Sequence, residues 1–224
     1  MFEKLYQIFI EEGRYKLFFQ GLANTLIITV GAALIGLILG VVIAMVKVAS
    51  TKYRGFKIPA VICDVYVTII RGTPVVLQLF ILSLAVFTGA IPEIIPAVLT
   101  FGINSSAYVS ENIRACVMSV ERGQTEAGQS LGFTYGQTLR YIVLPQSFKT
   151  AIPSVCNEVI ALLKETSVIS VVGMMDISQF ARVIGGRIAD YLAPMLCIAL
   201  VYLVIVYGLT LLVKMVERRL RRND

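Results

Sequence analysis

The chain has 224 residues, 57% of them hydrophobic, with a mean hydropathy of +0.81, which is more apolar than a water-soluble fold of this size carries. Its net charge of +6 is concentrated beside apolar runs, so it speaks for membrane topology and against a nucleic-acid surface. With no histidine and four scattered cysteines, the chain has no zinc-ligand set and no metal site is expected.

Residues 1–20 mix Glu3, Glu11 and Glu12 with Lys4, Arg14 and Lys16, and they lack the apolar core of a cleaved signal. They are expected to form an interfacial amphipathic segment, with Phe2, Leu5, Tyr6, Phe9, Phe18 and Phe19 dipping into lipid. Residues 22–46 follow as a charge-free run of twenty-five and residues 191–213 as one of twenty-three, each enough to cross about 30 Å of hydrocarbon. Between them lie three apolar stretches that carry charge, residues 58–87, 97–120 and 152–172. The fold class is therefore all-α, a polytopic membrane protein with five transmembrane helices. Cys63, Cys116, Cys156 and Cys197 all fall inside these stretches, as small hydrophobes do.

Lys47, Lys52, Arg54 and Lys57 follow the first span, and Lys214, Arg218, Arg219, Arg221 and Arg222 follow the last. Basic residues beside span ends mark the cytoplasmic side. Five spans satisfy both clusters with the amino terminus outside and a basic tail, residues 214–224, inside. The same arithmetic places the polar stretch between spans three and four in the cytoplasm. There, two short helices are expected at 125–131, capped by Thr125 with Gln129 close behind, and at 135–144, stopped by Pro145. Gly128, Gly132 and Gly136 recur at four-residue spacing and permit close backbone approach.

Glu126, Ala127 and Gly128 are followed after three residues by Gly132, and after nine more by Ile142, then Leu144 and Pro145. This resembles the EAA loop of ABC-importer permeases at every spacing; the one departure is Gly128, where the family pattern has a second alanine. More loosely, "GLANTLIITV", "RGTPVVLQLF" and "NEVIALLKETS" are similar to the polar amino-acid uptake subfamily. The resemblance implies a single permease domain over residues 1–224, like those of type I importers, with residues 121–146 as its cytoplasmic coupling loop. It also implies that Glu126, Ala127, Gly128 and Gly132 dock in a cleft of a separate ABC ATPase. The chain has no P-loop segment, so no cofactor is expected in it, and ATP and Mg belong to that ATPase. The other implied partners are an extracytoplasmic amino-acid-binding protein, a second copy of the chain or a homologous permease, and lipid of the prokaryotic inner membrane. No enzyme activity is implied.

Polar groups within spans are functional candidates by default. Asp64 and Arg71 stand seven apart on one face of span two, before Gly72 and Pro74. Counting along the helices brings Arg71, Asn104, Ser105 and Glu158 to mid-membrane depth, with Gln78 beyond the break. A free amino acid presents a carboxylate and an ammonium, which Arg71 or freed backbone amides and Glu158 would complement; an extra carboxylate would favour a cationic side chain. The competing reading is that Arg71 pairs with Glu158 or Asp64 merely to avoid an uncompensated charge. Lys164 and Glu165 are expected either in a polar vestibule or snorkelling at the outer interface, and Glu111 with Arg114 as a local ion pair without a role. An ion-gradient-driven carrier is the alternative function. Such carriers are built from paired repeats with a broken helix in each half, whereas here only span two is visibly broken.

Overall fold

The computed structural model describes residues 2–87, 89 and 91–221. Ten α-helices are described: α1 (Phe2–Phe9), α2 (Tyr15–Ser50), α3 (Lys57–Gly72), α4 (Val75–Phe80), α5 (Ile94–Met118), α6 (Arg122–Ser130), α7 (Tyr135–Thr138), α8 (Leu144–Glu165), α9 (Ile177–Ile188) and α10 (Leu192–Arg221). Among the described residues, α2 and α10 are each long and apolar enough to cross a membrane. A third crossing results if Arg54–Gly72 and Val75–Val86 count as one broken span. The break falls where Thr73 is extended (φ −117°, ψ 142°), because the ring of Pro74 disfavours helical geometry in the residue before it. Helices α5 and α8 have 25 and 22 residues, long enough at ~1.5 Å per residue to cross, but with more polar side chains.

The chain forms two compact units from interleaved segments. The first comprises residues 1–33, 75–101 and 159–210, with two apolar clusters. One gathers Ile28, Leu79, Phe101, Leu162 and Ile169. The other joins Ile8 of α1 to Ile177, Phe180 and Ile184 of α9 and Ile198 of α10. Phe9 and Phe18, expected in lipid, instead pack on Phe180, with ring centroids 5.7 and 5.6 Å away. Residues 1–20 are not one element: a turn at Glu11–Gly13, with Glu12 at φ 53°, separates α1 from α2. Phe2, Tyr6 and Phe19 remain exposed.

Helix α9 lies between the fourth apolar stretch, residues 152–172, and the last, residues 191–213. Its start is set by Asp176, whose carboxylate accepts from the Gln179 amide at 2.6 Å, and its end by Ala189 at φ 52°. The opening of α2 is fitted to that start. Asn24 donates to the Met175 carbonyl at 2.8 Å, and a Cβ on Gly21 would lie 2.6 Å from the Asp176 carbonyl oxygen. The "GLANT" stretch is thus a contact surface for the α9 entry turn.

The second unit comprises residues 34–74, 102–158 and 211–224. Its apolar cluster is small: Val48, Val117 and Val143 are buried, with Met45, Ile113 and Leu139 against them. Here α2 and α5 approach through glycine. A Cβ on Gly36 would lie 2.8 Å from Ser105 Oγ, and one on Gly40 2.6 Å from Val109 Cγ1, so these glycines serve packing within the chain.

Candidate functional site

The loop carrying the EAA-like residues is folded. Helix α6 starts at Arg122 after Glu121, so Thr125 is not its cap. Thr125 lies inside the helix and lines a cavity of 180 Å³ with Thr51 and Tyr135. Helix α6 ends near Leu131, and Gly132 takes a left-handed φ of +88°, where an added Cβ would meet nothing within 4 Å. Thr134 then caps α7 reciprocally with Gln137. Pro145 does not stop the second helix. A π turn, Leu139–Val143, leads directly into α8, and Pro145 sits in the first turn of that helix, where a missing amide is tolerated.

Glu126 and Ala127 are exposed. Gly128 is buried, and its place in the pattern has an internal cause: a Cβ there would lie 2.8 Å from Ile142 Cδ1 and 2.9 Å from Thr138 Cγ2. Glycine at this position lets α6 rest on the turn that follows it, so the residue faces its own loop. Leu131, 78% exposed, and Phe133, 40% exposed, flank Gly132. Neither is among the residues expected to dock, although two large apolar side chains around a glycine in a polar loop are a readable signal. The loop is anchored by the cluster of Val48, Val117 and Val143 and by Tyr135, whose hydroxyl lies 3.2 Å from Thr51 Oγ1.

Of the candidate substrate residues, Arg71, Asn104, Ser105 and Glu158 belong to the second unit and Gln78 to the first. Asn104 and Ser105 are buried on α5, Glu158 is half-buried on α8, and Gln78 is buried on α4. The Arg71 guanidinium lies over the Tyr108 ring, 4.9 Å from its centroid. Tyr66 donates to the Ile103 carbonyl at 2.9 Å and lies 2.6 Å from the Ser106 hydroxyl. Asp64 does not serve Arg71 but pairs with Lys47 at 2.6 Å. Lys47 also pairs with Glu111, which accepts from Arg114 at 2.9 Å, so the pair Glu111–Arg114 is part of a larger network. In the first unit, Lys164 lines a 390 Å³ cavity with Ser167, Ser178, Arg182 and Tyr202, and Arg182 donates to Ser170 Oγ at 3.0 Å.

Two carboxyls outside the spans are shifted in opposite directions. Burial pushes Asp176 up from the ordinary aspartate range, against the hydrogen bonds it accepts at the start of α9. The ammonium of Lys4, 2.8 Å away, holds Asp190 below that range.

Residues 36–222 match the family described as "Binding-protein-dependent transport system inner membrane component". The chain is 41% identical over 208 residues to the arginine transport system permease protein ArtQ of Bacillus subtilis (strain 168), covering 92% of this chain and 93% of that one. It is 32% identical over 216 residues to the L-cystine transport system permease protein TcyB of the same strain, covering 95% and 90%. A chain from the crystal structure of an amino acid ABC transporter with histidines aligns at a TM-score of 0.84 and 36% identity, covering 92% of this chain and 94% of that one. The MetNI methionine ABC transporter in an inward-facing conformation shares the fold, at a TM-score of 0.77 and 19% identity, with 94% and 99% covered. These relatives are transport components rather than enzymes. The chain therefore belongs to the inner-membrane components of binding-protein-dependent transport systems, alongside relatives named as amino-acid ABC transport permeases.

Proposed function

We propose that this chain is the membrane-spanning subunit of an ATP-driven importer for polar amino acids, with cationic side chains preferred. The observation that carries the reading is the folded EAA-like loop, where Glu126, Ala127, Leu131 and Phe133 are exposed around a left-handed Gly132. A short helix with an apolar tip, backed by packed valines, suits docking into a groove of a second protein. In this reading ATP and Mg bind to a cytoplasmic ATPase, whose closure pushes the loop and alternates access across the membrane. Two copies of the chain enclose the path, the amino terminus is outside, the basic tail is inside, and an extracytoplasmic binding protein delivers the amino acid.

Asn104, Ser105 and Arg71 supply hydrogen bonds and positive charge for the substrate carboxylate, and Glu158 the countercharge for an ammonium or guanidinium. Similarity to the arginine permease ArtQ at 41% identity supports a cationic substrate. The test is reconstitution in vesicles with the ATPase that co-purifies, followed by a scan of amino acids for ATP-dependent uptake. Arginine, lysine or ornithine should be taken up only with ATP inside the compartment that holds the ATPase. Gradient-driven uptake by the chain alone would overturn the reading. Replacing Gly132 by leucine should leave the chain folded and sever uptake from hydrolysis.

A further inference from the structure

The proposed function leaves unused the four-charge network at the end of α2. Lys47 lies 2.6 Å from Asp64 on α3 and pairs with Glu111 on α5, and Glu111 in turn holds Arg114 at 2.9 Å. The Lys47 side chain is 11% exposed. Two cations meet two carboxylates, so the set is neutral and Lys47 joins α2 to two other helices. Apolar packing does little for α3, whose sixteen residues bury only Ala60 and Val67. What ties α3 to α5 is a ladder of polar contacts: Asp64 through Lys47 to Glu111, Tyr66 to Ile103 and Ser106, and Arg71 to Tyr108. The residue after Lys47, Val48, packs with Val117 of α5 and Val143 of the π turn behind the coupling loop. Lys47 therefore stands where the footing of that loop meets the α3–α5 ladder.

We infer that Lys47 is a positioning residue for energy coupling, clamping α3 to α5 so that displacement of the loop moves both helices as one body. Asn104 and Ser105 ride on α5 within about two turns of Ser106, Tyr108 and Glu111 in the ladder, and one packed helix transmits that motion with little loss. Without the ammonium, Asp64 loses its partner and Glu111 keeps only Arg114 of its own helix, so the charged link between α3 and α5 is gone. The inference rests on the coupling role proposed for the loop.

The test uses the chain reconstituted with its ATPase, comparing K47M, K47R and the neutralised triple variant K47M/D64N/E111Q. K47M should retain bound ATPase and basal hydrolysis, while uptake per ATP falls about tenfold, within the usual range of coupling energies. K47R should restore coupling. The triple variant, freed of the unpaired Asp64 carboxylate, should match the wild type in thermal stability yet stay uncoupled, and it carries the test should K47M not fold. Uptake per ATP within about twofold of wild type in K47M, below any resolvable coupling loss, would overturn the inference. So would a triple variant that recovers coupling along with stability, since the network would then only neutralise charge. A wild-type chain that binds no ATPase would instead overturn the proposed function, so the two failures are distinguishable.

Discussion

In the first unit Phe101, Phe180, Leu162 and Ile169 are fully buried in clusters of large apolar side chains. In the second, the buried apolar cluster is three valines, and the contacts among α2, α3 and α5 include glycine approaches, hydroxyl bonds, ion pairs and a cation–π contact. Interdigitated large side chains have one good arrangement, because voids and clashes both cost free energy. Ion pairs and hydroxyl contacts can exchange partners between two arrangements with little change in buried area. The first unit is thus built to be stable, and the second carries the groups a moving part needs.

The largest test of this contrast is Phe180→Ala, which removes the ring on which Phe9 and Phe18 pack. It should destabilise the chain by about 3–5 kcal/mol, read as a fall in thermal midpoint. Val143→Ala in the second unit should cost about 1.5 kcal/mol, at ~0.8 kcal/mol per buried carbon. Equal losses from the two would erase the distinction between the units. Glu158→Gln should weaken binding of a cationic amino acid by about tenfold or more, as expected for one charged hydrogen bond. Isothermal titration with arginine reads this directly, and unchanged affinity removes Glu158 from the site.

Smaller effects follow at the EAA-like loop. Gly128→Ala forces a methyl against Ile142 and Thr138 and should cost about 1–3 kcal/mol of overpacking, weakening ATPase attachment in pull-down. Gly132→Ala meets no neighbour and bears only left-handed strain, about 1–2 kcal/mol. If Gly132→Ala weakened attachment more than Gly128→Ala, the internal packing role of Gly128 would be wrong.

The least effects come from the two shifted carboxyls, and their signs are opposite. Asp176 has its folded pKa above the unfolded one. Its ionised form is therefore disfavoured in the fold, a penalty that sets in as pH rises above about 3.9 and is complete above the folded value. Asp176→Asn keeps an acceptor for the Gln179 amide and should be at least as stable as wild type at neutral pH, whereas Asp176→Ala should lose about 1 kcal/mol with the cap. Asp190, held low by Lys4, contributes stability that is present above the ordinary carboxylate range and lost as pH falls through its lowered value. The small difference in midpoint between wild type and Asp190→Asn should vanish under acid conditions; a difference that persists there would mean the Lys4 contact is not its source.

Much of this is legible in the chain itself. The charge-free runs in α2 and α10, the broken second span and the spacing Glu126, Ala127, Gly128, Gly132 are local patterns, set by what lipid and helix geometry demand of neighbouring residues. Helix α9 is readable too, since Asp176 precedes Ile177, Phe180, Ala181 and Ile184 at helical spacing, but at twelve residues it is too short to stand out as an apolar span. Pro145 misleads because it stands in the first turn of α8, where a missing amide is tolerated, rather than after the end of a helix.

What the sequence determined by itself depends on neighbours three or four residues apart: which long segments are apolar helices, and where the EAA-like spacing lies. Only the tertiary structure decided that Lys47 answers Asp64 and Glu111, that Gly21 and Asn24 receive the α9 entry turn, and that Gly128 faces Ile142. Periodicity specifies the face of a helix on which a side chain stands; the partner on that face is chosen by packing of segments distant along the chain, which no local spacing records.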